Sequence, residues 1–95
     1  MTIGVQWVGA MRAADASQAA YFRQSLADER EQVETDLARS RTRLREFLEG
    51  AQVVGLRSMA RVRAEVRELE AHHRELDRMI GALDRRFSAM WSCPG

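Results

Sequence analysis

Between Met59 and Met90 the chain repeats one spacing for more than four heptads. Met59, Val62, Val66, Leu69, His73, Leu76, Ile80, Leu83, Phe87 and Met90 follow one another at alternating intervals of three and four, and only His73 among them is polar. The residues in between are mostly arginine and glutamate. A strand would need a period of two. A period of 3.5 puts a narrow apolar stripe along one side of a helix, and such a stripe is hidden only against another helix.

The first half carries a weaker form of the pattern. Leu26, Val33, Leu37, Leu44 and Phe47 fit one seam, which Phe22 and Leu48 widen and Arg30 and Ser40 interrupt. Asp15, with Gln18 three residues on, reads as a helix N-cap in capping-box spacing. Gly50 reads as the C-terminal stop, with Arg41, Arg43 and Arg45 near that end, where the helix dipole favours cations.

The halves are separated by Gly50-Ala-Gln-Val-Val-Gly55, the one strong helix-weakening cluster inside the chain, and the register shifts by one residue across it. The expected architecture is therefore all-α, one small domain folded as an antiparallel two-helix coiled-coil hairpin. It comprises an N-terminal segment 1–14, helix 15–49, turn 50–55, helix 56–91 and tail 92–95. Arms of nearly equal length suit a hairpin. The competing arrangement is one continuous helix with a four-residue stutter through Leu44, Leu48, Ala51, Gly55 and Met59, which would have to dimerise to hide its stripe.

Composition agrees with long helices. The chain has 95 residues, 15 basic and 14 acidic, a net charge of +1 and a single proline. All the basic residues are arginine, with no lysine or asparagine, which reads first as a GC-rich and bacterial coding bias. Near-neutral charge removes any global pull toward nucleic acid or membrane. The lone Cys93 rules out an internal disulfide framework and fits a reducing cytoplasm. No run approaches membrane-helix length, and Met1–Met11 lacks the basic start and long apolar stretch of a signal peptide.

Catalysis is not expected. No HExxH, CxxC, Walker loop or GxGxxG occurs. His72 and His73 are adjacent, so on a helix they diverge by about 100° and cannot comfortably share a metal. Glu70 and His73 have the spacing of a di-iron motif, but only once. No carboxylate falls in the apolar seam, where burial could prepare it for proton transfer. No cofactor and no small-molecule substrate are expected.

What remains is interaction. A lone two-helix hairpin of this size is marginally stable, so a second copy or a protein partner is expected to complete it. The candidate contact residues are Val53, Val54 and Leu56 at the tip, and Trp7, Val8, Met11, Tyr21 and Trp91 at the open end. Ile3, Val5, Trp7, Val8 and Met11 form either a short helix or a folded-back strap, and Trp7 and Trp91 could together plug that end. Arg30 and His73 fall at similar levels and read as a polar layer that fixes register. A sharper possibility is a pH-sensitive joint, because protonated His73 beside Arg30 would repel it. The second functional reading is electrostatic. Folding at Gly50–Gly55 brings Arg39, Arg41, Arg43, Arg45, Arg57, Arg61, Arg63 and Arg67 to one end, where they could meet phosphates or an acidic partner. Glu46, Glu49, Glu65 and Glu68 dilute them, pairs such as Arg61–Glu65 would neutralise some, and no aromatic lies among them to stack on bases. The stretch Ala64 to Phe87 resembles the dimerising helix of many bacterial regulators. That likeness rests on generic heptads and implies helix pairing alone.

Overall fold

The structure is a computed structural model and describes residues 3–50 and 55–91, with side chains from residue 13 onward. It consists of two helices, α1 (Ile3–Leu48) and α2 (Leu56–Trp91), packed along each other in a hairpin 75 × 23 × 15 Å in extent. Among the described residues there is no strand.

The helices run antiparallel. As one moves along α1 through Ala16, Arg23, Arg30 and Ser40, the partners on α2 retreat through Trp91, Asp84, Asp77 and Glu65. The seam follows the 3.5-residue period. Ala16, Ala19, Leu26, Val33 and Leu37 of α1 are buried against Val62, Val66, Leu76 and Ile80 of α2. Leu26, Val33, Leu76 and Ile80 form its centre, with Ala27, Leu69, Met79 and Leu83 partly buried around them. The continuous-helix alternative is thereby replaced by the hairpin.

The start of α1 differs from the sequence-based expectation. A separate segment before residue 15 is not seen. α1 begins at Ile3, and Asp15 lies exposed inside it rather than capping it. The run Ala10-Met11-Arg12-Ala13-Ala14 consists of strong helix formers with no proline to stop it, and its summed propensity outweighs one candidate cap. Phe22 and Leu48, expected to widen the seam, are exposed instead. Both fall beside the buried positions of the seam and face water.

The stop at the other end of α1 is local chemistry. Gly50 has φ +75°, its N–H donates to the Phe47 carbonyl at 3.2 Å, and the N–H of Glu49 donates to the Arg45 carbonyl at 2.9 Å. A left-handed glycine just past the last turn is the usual way to consume the final carbonyls of a helix. α2 starts when the Gly55 carbonyl accepts from the Met59 N–H at 3.2 Å.

Candidate functional site

The polar positions of the seam are filled in an ordered way. Ser40 is 2% exposed, and its hydroxyl donates to Glu65 Oε1 at 3.0 Å, so the hydroxyl that interrupts the apolar row has a partner on the opposite helix. Glu65 also faces Arg43 at 4.0 Å. The expected Arg61–Glu65 pairing within α2 is not formed among the described residues, because the Glu65 carboxylate turns toward α1.

Arg30 and His73 do lie at one level, but they do not face each other. Two carboxylates stand between them. Arg30 Nη1 is 2.8 Å from Asp77 Oδ1, and its Nε is 3.8 Å from Glu34 Oε1. His73 Nε2 is 3.1 Å from the same Glu34 oxygen, and its Nδ1 is 3.4 Å from Asp77 Oδ2. Arg30 and His73 alternate with the two carboxylates around a ring at the flank of the seam, its two carboxylates exposed. A protonated His73 would thus meet two carboxylates rather than a guanidinium, which removes the basis for the repulsive joint. His72 reaches the other side of α1, with Nε2 3.1 Å from Glu29 Oε1.

Nearer the open end, Arg23 and Asp84 form a two-pronged pair, Nε to Oδ1 at 2.5 Å and Nη2 to Oδ2 at 3.1 Å. The Arg23 hydrogen bond holds the Asp84 carboxyl below the ordinary aspartate range, against the opposing effect of desolvation and with help from the Arg23 and Arg30 charges. The same hydrogen bond raises Arg23. Carboxylate–guanidinium forks of this kind fix geometry as well as charge.

At the open end Trp91 stacks on Phe87, with ring centroids 5.8 Å apart and planes 27° from parallel, and its indole N–H donates to the Ala16 carbonyl at 2.9 Å. Trp91 therefore belongs to the hairpin itself. Tyr21 is the opposite case, 78% exposed on the outside of α1. Trp7, Val8 and Met11 belong to the helical part of α1, and their side chains lie outside the described residues. At the tip, Leu56 is 87% exposed, and Val53 and Val54 lie outside the described residues. Sequence reasoning missed three further exposed apolar groups, Phe22, Leu48 and Met90, since their spacing alone placed them in or beside the seam.

The eight arginines do gather toward the tip. Arg41 and Arg43 face Glu70 and Glu65 at 4.0 Å each, while Arg39, Arg45, Arg57, Arg61, Arg63 and Arg67 make no ion pair among the described residues. Arg63 and Arg67 border an open groove with Leu56, Met59 and Ala60. Among the described residues no group of three or more His, Cys, Asp or Glu side chains could hold a metal ion, and no helix is long and apolar enough to cross a membrane.

No protein-family model, no curated protein and no solved structure matches this chain.

Proposed function

We propose that the chain is a non-catalytic coiled-coil interaction module, a small adaptor, inhibitor or chaperone-like partner that works by helix packing. The observation that carries this reading is the division of its apolar side chains. One narrow seam is consumed by the hairpin, and Tyr21, Phe22, Leu48, Leu56 and Met90 remain exposed on a body only two helices thick. Exposed aromatic and large aliphatic groups on a rigid helical scaffold are what a partner helix can use as anchors. The lone Cys93 supports a reducing, cytoplasmic setting.

The test is to purify the chain at native level from its own cells. A particle heavier than the 10.8 kDa monomer with a stoichiometric protein component is expected, together with loss of that component in Tyr21→Glu/Phe22→Glu. A bare monomer would sink the reading.

A second reading rests on the six tip arginines that make no ion pair among the described residues. They suit an acidic or phosphate-bearing partner. A salt-dependent shift of a DNA or RNA probe, lost when Arg41, Arg43, Arg61 and Arg63 are neutralised, would put a nucleic-acid-associated protein in place of the first.

A further inference from the structure

The tip of the hairpin and the rest of the chain carry opposite charge. Residues 38–68 hold eight arginines against four glutamates, a net +4, and the remaining residues hold seven arginines against ten acidic residues, a net −3. The carboxylates of α2 nearest the tip arginines are turned toward α1: Glu65 faces Ser40 and Arg43, and Glu70 faces Arg41. Arg63 and Arg67, four residues apart on α2, are exposed and make no ion pair among the described residues.

These two arginines do not stand on a purely polar surface. They border a groove whose other walls are Leu56, Met59 and Ala60. Leu56, Ala60, Arg63 and Arg67 follow a four-three-four spacing, which is one face of a helix, beside the row that buries Val62 and Val66. From residue 56 to residue 67 that face runs roughly 17 Å, at about 1.5 Å per residue. Its first turn is apolar, with Leu56 87% exposed and Met59 half-buried, and its next two turns are cationic. The aliphatic stems of the arginines extend the apolar floor beneath their charged heads.

We propose that this face seats an acidic amphipathic helix of a protein partner. An apolar side chain of that helix packs on Leu56 and Met59, and carboxylates two and three turns further along meet Arg63 and Arg67. The occupant is argued from charge complementarity. The face presents two guanidinium groups whose carboxylate neighbours on the same helix are turned away, inside a region of net positive charge. The apolar floor chooses between anions: a phosphate backbone would use the arginines and leave Leu56 and Met59 in water, whereas an amphipathic helix uses both. This inference rests on the helix-packing reading and gives its partner a chemistry.

Fluorescence anisotropy of the purified full chain tests it. The probes are two labelled alanine-rich helical peptides, each with one leucine and with glutamates seven and eleven residues from it, the spacing of Arg63 and Arg67 from Leu56. One peptide carries the leucine first and the other carries it last, so that parallel and antiparallel seating are both covered. One of them is expected to bind with a Kd on the order of 100 μM, more weakly as salt rises, and to lose binding when its glutamates become glutamines. Arg63→Glu with Arg67→Glu should weaken binding about tenfold or more, and Leu56→Ser about threefold or more with the salt dependence kept. All three positions are exposed, and far-UV circular dichroism checks that the variants keep the hairpin. Failure of both peptides to saturate below the millimolar range would overturn the inference. So would affinity indifferent to Leu56→Ser, or a duplex DNA probe that binds more tightly than either peptide through the same arginines. A chain that binds neither peptide, yet still co-purifies with a protein lost in Tyr21→Glu/Phe22→Glu, would leave the proposed function standing and remove only this surface.

Discussion

The hydroxyl of Ser40 donates to the Glu65 carboxylate across the helix interface, 25 positions away in sequence, at 3.0 Å. Ser40 is buried, whereas Glu65 stays half in water and keeps Arg43 beside it. Ser40→Ala therefore removes one interhelical hydrogen bond without stranding a dry carboxylate. The expected loss is about 0.5–1.5 kcal/mol, the net worth of a typical such bond, read as a lowered urea midpoint at unchanged slope.

Leu76 is 2% exposed and lies at the centre of the seam, in one cluster with Leu26, Val33 and Ile80. Leu76→Ala is expected to cost about 2–5 kcal/mol. For a two-helix body that is a large share of the total, so the far-UV helix signal should melt at markedly lower urea or be partly lost in buffer. Met90→Ala, on an exposed position, should change the midpoint little.

The Arg23–Asp84 fork makes a prediction in acid. The Asp84 carboxyl is held below its ordinary value in the folded chain. A depressed carboxylate contributes stability that is present above its unfolded value, about pH 3.9, and is lost as pH falls through the lower folded one. Thermal melts between pH 6 and 2 should show that loss. Asp84→Asn should flatten the decline attributable to this group, and an unchanged acid profile in the variant would remove its role.

The two glycines flanking the bend should respond oppositely. Gly50 sits at φ +75°, where a side chain is strained even though nothing lies within 4 Å of the added methyl. Gly50→Ala should destabilise by about 1–2 kcal/mol. Gly55 has no positive φ and equally open surroundings. Gly55→Ala should be neutral or stabilising by up to about 1 kcal/mol, through a less disordered unfolded chain. Paired denaturation curves of the two variants check both signs.

Much of the packing was legible in the sequence because period is a strong signal. Val62, Val66, Leu76 and Ile80 are the buried residues of α2, and all four lie in the predicted stripe. On α1, Leu26, Val33 and Leu37 were equally readable. Ala16 and Ala19 were not, because alanine is common on every face of a helix and its spacing carries little information. Asp15 misled because a cap is a statement about backbone angles, and the same residue sits acceptably on an exposed helical face. The ring of Arg30, Glu34, His73 and Asp77 lay beyond sequence reading for another reason. Its polar partners come from both helices, and one carboxylate on each decides which charge meets which. Heptad letters rank positions by depth but do not say how long side chains bend across the flank.

The covalent link between Gly50 and Gly55 has a kinetic meaning as well as a geometric one. α1 and α2 carry matching stripes, and as separate peptides they would have to find each other by diffusion, with affinity set by dilution. Joined by a few residues, each meets the other at an effective concentration on the order of millimolar, whatever the amount of protein in the cell. Severing the chain there should leave every interhelical contact chemically possible and still make the assembly dissociate on dilution.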